Sequence, residues 1–119
     1  MTSGIIFKQG NIILMPFPYS DLSNSKKRPA LILSSNSFNN FFSDIICCLI
    51  TTNPKKELHS INITDNDVIE GKLHFKSKVK PFRLFTVDKK IVLKKLCKLK
   101  KNKFNSVIQN LQRIIPKQA

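Results

Sequence analysis

Short apolar runs separated by polar segments occupy the first half of the chain. Residues 10–18 (GNIILMPFP), 28–35 (RPALILSS) and 44–52 (DIICCLITT) are apolar over most of their length. Runs of this length, bounded by turn residues, are typical of β-strands. Pro29 is compatible with the second strand because proline is tolerated at the start of a strand. The third run is apolar without alternation, which predicts a strand buried on both faces.

Two further strand segments are predicted in the middle of the chain. Residues 58–64 (LHSINIT) alternate in polarity, as a half-buried strand does. Residues 75–87 (FKSKVKPFRLFTV) predict a strand pair, or one strand bent at Pro81. Residues 65–71 (DNDVIEG) indicate a tight turn, and residues 36–42 (NSFNNFF) a loop or a single helical turn.

Helical periodicity begins near Asp88. Apolar residues recur every three or four positions in 88–99 and again in 102–115, which predicts two basic C-terminal helices. Asp88 and Asn102 are the expected N-caps, and Pro116 is the expected stop. Short strands followed by helices predict a mainly β fold, a small barrel closed by C-terminal helices.

Positive charge is concentrated in the C-terminal part of the chain. The 119 residues include 21 Lys and Arg against 7 Asp and Glu, a net charge of +14. Residues 1–71 carry six charges of each sign, so the whole excess lies in residues 72–119. Such an excess attracts polyanions, with nucleic acid as the first candidate and an anionic membrane or an acidic protein after it. A solvated lysine-rich surface is the alternative interpretation.

Length and cysteine usage favour a single cytoplasmic domain spanning residues 1–119. The N-terminus lacks the features of a secretory leader, and no apolar run approaches the roughly 20 residues of a membrane helix. Cys47 and Cys48 lie in the third apolar run and are interpreted as buried apolar residues in a reducing compartment. No CxxC pattern or His/Cys/acid cluster indicates a metal site, so neither a metal nor a cofactor is expected.

A cationic cluster, Lys26, Lys27 and Arg28, stands at the start of the second predicted strand. It is either a solvated turn or a phosphate site. The planar guanidinium of Arg28 can direct two donors onto a phosphate and stays charged. Tyr19, in the preceding polar loop, is the best candidate to stack on a base of single-stranded RNA.

Three blocks of the sequence resemble the MazF/PemK family of type II toxin–antitoxin toxins. "GNIILMPFPYSDLSNSKKRPALILSS" resembles the family's first strand, polar loop and basic Arg-Pro step. "CLITTNP" resembles its next strand, and "SKVKPFRLFTVDKKIVLKKLCKL" resembles its later Thr-hydrophobic-Asp-Lys segment. The blocks follow the family's order and together cover most of residues 10–99.

The resemblance implies an SH3-like β-barrel of the CcdB/MazF type with C-terminal helices, usually a homodimer. It implies a sequence-specific endoribonuclease that cuts single-stranded RNA or mRNA without a metal, leaving a 2′,3′-cyclic phosphate and a 5′-hydroxyl. It also implies a cognate antitoxin whose acidic segment covers the RNA groove.

Catalytic roles for Arg28, in the Arg-Pro step, and for Thr51, at the end of the third strand, follow from the same resemblance. Ser23 and Phe82 stand where some family members have carboxylates. Asp21 is the carboxylate nearest to Arg28 in sequence and is the candidate proton acceptor, with a turn-forming role as its alternative. The candidate RNA-binding residues are Tyr19, Ser23, Lys26, Lys27, Thr52 and Lys80.

The absent carboxylates leave a second function open, that of a non-catalytic nucleic-acid- or protein-binding relative, such as a degenerate toxin or a gyrase-type inhibitor. The presence of Arg28 and Thr51 and the charge of +14 favour the nuclease. His59 and His74 are an alternative acid–base pair if paired strands bring them together, and otherwise partly exposed strand residues. A membrane-surface helix over 102–115 fits less well because its polar face is mostly Asn and Gln.

Overall fold

One curled antiparallel sheet dominates the computed structural model, which describes residues 4–17 and 26–119. In these residues the strands are β1 (Asn11–Pro16), β2 (Lys27–Ile32), β3 (Asp44–Thr51), β4 (Ile61–Ile63), β5 (Val68–Ile69), β6 (Ser77–Asp88) and β7 (Lys94–Leu99). The helices are α1 (Asn36–Phe41) and α2 (Lys101–Ile114). The strand order is β4-β6-β3-β2-β1-β7-β5, and the sheet forms a half-barrel. The predicted mainly β fold with a C-terminal helix is confirmed.

Two apolar cores lie on opposite faces of the sheet. In β3, Cys48 and Ile50 face the first core, whereas Ile45 and Cys47 face the second, so this strand is buried on both faces as predicted. The first core continues through the buried residues Ile12, Leu31, Leu33, Ile63, Val68, Leu73, Val79, Cys97, Leu99 and Val107. The second continues through Ile13, Met15, Ala30, Ile32, Val87 and Val92.

Helix α2 covers the first core with one apolar stripe. Val107 is fully buried, and Phe104, Ile108 and Leu111 pack against the same core. The helical spacing of these residues predicted this contact. Of the helices that the structure describes, none is long and apolar enough to cross a bilayer.

The ends of α2 differ in part from the prediction. The helix begins at Lys101, and Lys100 is its N-cap residue without a side-chain cap hydrogen bond. Asn102 is therefore not the cap but lies inside the first turn of the helix. The chain arrives from β7 with an extended backbone at Lys100, and the helix starts directly after it. The helix ends at Ile114, two residues before Pro116, as the position of the proline predicted.

The predicted helix over 88–99 is wrong. Asp88 does cap a helix, because its carboxylate accepts a hydrogen bond from the Lys90 backbone N–H at 2.9 Å, but that helix is a single 3-10 turn. The chain then becomes β7, which pairs with β1 and β5. This pairing satisfies the backbone hydrogen-bonding groups on the second edge of β1. It also buries Cys97 and Leu99, which are two residues apart as on one face of a strand. Together these contributions outweigh the helix propensity of the segment.

Residues 58–64 form less strand than predicted, since β4 covers only Ile61–Ile63. Residues 75–87 form one interrupted strand rather than a pair. In β6, Leu84 pairs with Cys48 while Lys80 pairs with the adjacent Leu49. Three residues of β6, Pro81–Arg83, thus form a bulge without partners on β3. Pro81 fits there because a bulge residue needs no ladder hydrogen bond.

Pairing with β3 decides which way the lysines of β6 point. Residues paired across a ladder share a face, and Lys80 and Lys78 pair with Leu49 and Thr51, which by strand alternation share the face of Cys47 in the second core. Phe85, after the bulge, packs against the second core. Lys78 and Lys80, before the bulge, therefore lie on the same side of the sheet as Phe85, whereas Val79 faces the first core.

All three cysteines are buried and free of disulfides. Burial raises the pKa of the Cys47 thiol to about 12 and that of Cys97 to about 11. The pKa of Cys48 is also raised, first by burial and then by Cys47. The thiols are therefore protonated at neutral pH, as the interpretation as buried apolar residues predicted.

Candidate functional site

Arg28, Thr51 and Lys78 lie on three neighbouring strands near one end of the sheet. Thr51, the last residue of β3, pairs directly with Lys78 of β6. The β2–β3 ladder ends with Ala30 opposite Leu49, and Arg28 and Thr51 each lie two residues beyond this last pair. The paired Thr51 and Lys78, with Arg28 on the next strand, form one short row at this end of the sheet.

The residues of this row lie on the face of the second core. Side chains alternate along a strand, so Arg28 points to the same face as Ala30, and Thr51 to the same face as Cys47. Lys78 and Lys80 lie on this face too. We refer to Arg28, Thr51, Lys78 and Lys80 as the cationic end of the sheet.

Arg28 lies against one aromatic ring. Its guanidinium carbon is 5.8 Å from the centroid of the Phe17 ring, within the range of a cation–π contact. Phe17 in turn meets Phe85 edge to face, with a centroid distance of 5.6 Å. The arginine is half-buried, and the supported Phe17 ring restricts its side chain.

The Thr51 hydroxyl is half-buried and helps to end β3. Its oxygen accepts a hydrogen bond from the Asn53 backbone N–H at 3.2 Å. A hydroxyl also has one proton to donate, and a phosphate oxygen is a suitable acceptor for it. Thr52, the next residue, is exposed and lies beyond the strand.

Glu57 provides a carboxylate at the cationic end. Its oxygen lies 2.6 Å from the Lys80 ammonium nitrogen. The hydrogen bond from Lys80 holds the pKa of Glu57 below its ordinary value, and the charges of Lys80, Arg83 and Lys78 add to this effect. The pair borders a cleft of about 380 Å³ lined by Asn53, Lys55, Lys56, Glu57 and Lys80.

Lys78 is the most unusual member of the cationic end. Its side chain is only 7% exposed, and its ammonium nitrogen has no hydrogen-bond partner among the residues that the structure describes. Lysines are almost never buried to this degree without a partner. Alternation within Lys76–Lys80 indicates that Lys78 and Lys80 share a face, but sequence alone does not predict the burial of an ammonium group.

Three of the residues chosen from sequence, Arg28, Thr51 and Lys80, lie on one face near the same end of the sheet. Lys26 and Lys27 are exposed and directly precede Arg28 at the start of β2. The candidates Tyr19, Asp21 and Ser23 lie outside the described residues. Sequence reasoning missed Glu57 and Lys78. Glu57 lies in a loop, and its only sequence signal was the neighbouring basic turn.

The histidine pair is not supported by the strands. His59 and His74 both have positive φ angles, 69° and 75°, and neither lies in a strand. The arrangement on paired strands is therefore wrong. Within residues 4–17 and 26–119, no group of three or more His, Cys, Asp or Glu side chains is arranged to hold a metal ion.

Comparison with known families gives a match over nearly the whole chain. Residues 8–115 match the family described as PemK-like, MazF-like toxin of type II toxin–antitoxin system. The chain belongs to this toxin family. A comparison with curated proteins gives no significant match.

Solved MazF structures share the fold of this toxin. An endoribonuclease from a mycobacterial species, in complex with its cognate antitoxin, superposes with a TM-score of 0.76 at 16% identity, over 95% of this chain and 98% of its own. MazF from Deinococcus radiodurans gives a TM-score of 0.72 at 16% identity, over 95% and 99%. Mycobacterium tuberculosis toxin MazF-mt6 gives 0.72 at 15% identity, over 92% and 99%. At these identities the likeness establishes the fold.

Proposed function

We propose that this toxin is a metal-independent, sequence-specific endoribonuclease that cuts single-stranded RNA, including mRNA. The observation that carries the proposal is the placement of Arg28 and Thr51 on neighbouring strands, on one face and near the same end of the sheet. A forked cation and a hydroxyl on neighbouring strands suit one phosphate group. The mycobacterial relatives, which are named endoribonucleases, support the same activity.

The proposed chemistry uses the substrate's own 2′-hydroxyl. The 2′ oxygen attacks the adjacent phosphorus, the bond from phosphorus to the 5′ oxygen breaks, and a 2′,3′-cyclic phosphate and a 5′-hydroxyl result. A base takes the 2′ proton, and an acid supplies a proton to the leaving 5′ oxygen. Arg28 and Thr51 stabilise the charge that develops on the phosphorane oxygens.

Two carboxylates compete for the role of proton acceptor. Asp21 is the candidate from sequence. Glu57 lies beside Lys80 in the cleft, and its lowered pKa keeps it well within the range where a glutamate is ionised at neutral pH. Single-turnover cleavage by Asp21→Asn and Glu57→Gln separates them, since loss of a general base costs about 10²- to 10⁴-fold.

Further contacts and partners complete the proposal. The RNA contacts are assigned to Tyr19, Ser23, Lys26, Lys27, Thr52 and Lys80. The partner is a cognate acidic antitoxin, which the excess of positive charge would attract. The chain acts as a single toxin domain, as a homodimer in the cytoplasm.

Incubation of the purified toxin with single-stranded RNA in EDTA tests this function. We expect fragments that end in cyclic phosphates at a limited set of sequences. RNA that is bound but left intact would instead support a non-catalytic relative. Ser23 and Phe82 favour that second candidate, because they place no carboxylate where some family members have one, and Phe82 lies in the bulge of β6.

A further inference from the structure

Lys78 carries a buried charge that has no hydrogen-bond partner in the described part of the chain. Its side chain is more than nine-tenths buried, and its ammonium donates no hydrogen bond within the described residues. Removing an ammonium from water is costly unless an acceptor or a counter-charge compensates. A methionine of similar length at this position would avoid that cost. The lysine therefore lowers stability where an apolar side chain would serve better.

The neighbours of Lys78 indicate which ligand would compensate. Lys78 pairs with Thr51 of β3 and shares a face with Lys80, and Arg28 lies on the same face of the next strand, β2. Its charge helps to lower the pKa of Glu57, which places the ammonium within electrostatic reach of the cleft. Glu57 is already hydrogen-bonded to Lys80, so the positive charges at this end of the sheet outnumber this one carboxylate. A group with several charged oxygens would match them.

We propose that the Lys78 ammonium binds a phosphate of the RNA backbone at the Thr51 end of the row. The assignment rests on the proposed RNA substrate. A phosphodiester supplies a negative charge and the acceptor oxygens that the ammonium does not find among the described residues. Binding would then recover the cost of burial, so Lys78 contributes to RNA affinity at the expense of the stability of the free toxin.

The test compares Lys78→Met with Lys76→Met. Each variant removes one positive charge, but Lys76 is exposed and precedes β6. Melting temperature is measured for the free proteins, and affinity is measured for a 2′-O-methyl RNA that cannot be cleaved. We expect Lys78→Met to raise Tm by about 4 °C or more and to weaken binding at least ~10-fold. The slope of log affinity against log salt should become shallower by about 0.7. Lys76→Met should leave Tm unchanged within about 1 °C.

Other outcomes overturn the assignment. A Lys78→Met protein that melts at a lower temperature, or fails to fold, would show that the ammonium stabilises the native structure. A higher Tm with the RNA affinity of Lys76→Met would show a buried charge with no phosphate role. Titration with inorganic phosphate separates this result from failure of the proposed function. If the wild type binds no RNA, a phosphate-dependent rise in Tm that disappears in Lys78→Met still supports the anion site, and its absence rejects it.

Discussion

Two strands of the sheet carry several lysines but hold them in different ways. On β7, Lys95 is partly exposed and pairs with Glu70 at the surface. On β6, Lys80 pairs with Glu57 in a cleft, and Lys78 is buried without a partner in the described structure. Both strands belong to the part of the chain that carries the excess positive charge.

The comparison shows that the number of charges does not locate a binding site. Strands β6 and β7 are separated by β3, β2 and β1 in the sheet. Of these two strands, only β6 pairs with β3, the strand that ends at Thr51. We therefore expect changes at the cationic end to alter RNA cleavage and binding, and changes on β7 to have little effect. The following predictions test this contrast, from the largest expected effect to the smallest.

Arg28→Lys should give the largest contrast with Lys94→Met, which changes an exposed residue of β7. The lysine keeps the charge but loses the fork, and loss of one donor to a transition state costs ~10²-fold or more. Lys94→Met should cut RNA within about twofold of the wild type. Single-turnover cleavage and Tm are the measurements. Wild-type cleavage by Arg28→Lys would remove this arginine from the proposed phosphate clamp.

Thr51→Val should lower cleavage by about 10- to 10³-fold with little change in Tm, because shape is kept while the hydroxyl donor is lost. If Arg28 and Thr51 hold one phosphate, the double variant should lose less than the product of the two separate rate factors. Strictly multiplicative losses would indicate separate sites. A double variant of Thr51 and Lys94 is the matched control, and its losses should multiply.

Lys80→Met and Lys98→Met should differ in the salt dependence of RNA binding. Each phosphate contact contributes about 0.7 to the slope for single strands. We expect the Lys80 variant to make the slope shallower by that amount, and the β7 variant to leave it unchanged. Equal slopes for the two variants would mean that the excess charge acts as a diffuse field and not through the cationic end.

The smallest contrast is expected in stability against pH. Lysine partners hold the pKa of Glu57 and of Glu70 below the ordinary value of 4.5. A folded pKa below the unfolded one stabilises the fold above pH 4.5, and this contribution is lost as the pH falls through the folded pKa. Because both glutamates are solvated, each Glu→Gln change should lower Tm by about 2 °C or less at pH 7. The difference should shrink below pH 4.5. A larger loss for Glu57 would assign it a structural role.

Sequence was sufficient where local pattern and tertiary packing agree. The three apolar strands and the stripe of α2 were predicted because each buries residues at the spacing of its own element. The helix prediction for residues 88–99 was wrong because their apolar spacing also suits a helix. Residues 94–99 form a strand because they pair with the edge of β1, a contact that the local pattern does not reveal. Glu57 and Lys78 were missed because loop position and burial depend on contacts distant in sequence.

The bulge in β6 works as a spacer between two paired stretches of one strand. Its three residues, Pro81–Arg83, have no partners on β3, whereas Lys80 and Lys78 pair with Leu49 and Thr51 on the face that Phe85 also occupies. Because pairing with β3 fixes the facing of these lysines, a change in the number of bulge residues that leaves the pairing intact would leave the lysines on the same face. Insertions and deletions should therefore be tolerated better in the bulge than in the paired residues on either side of it.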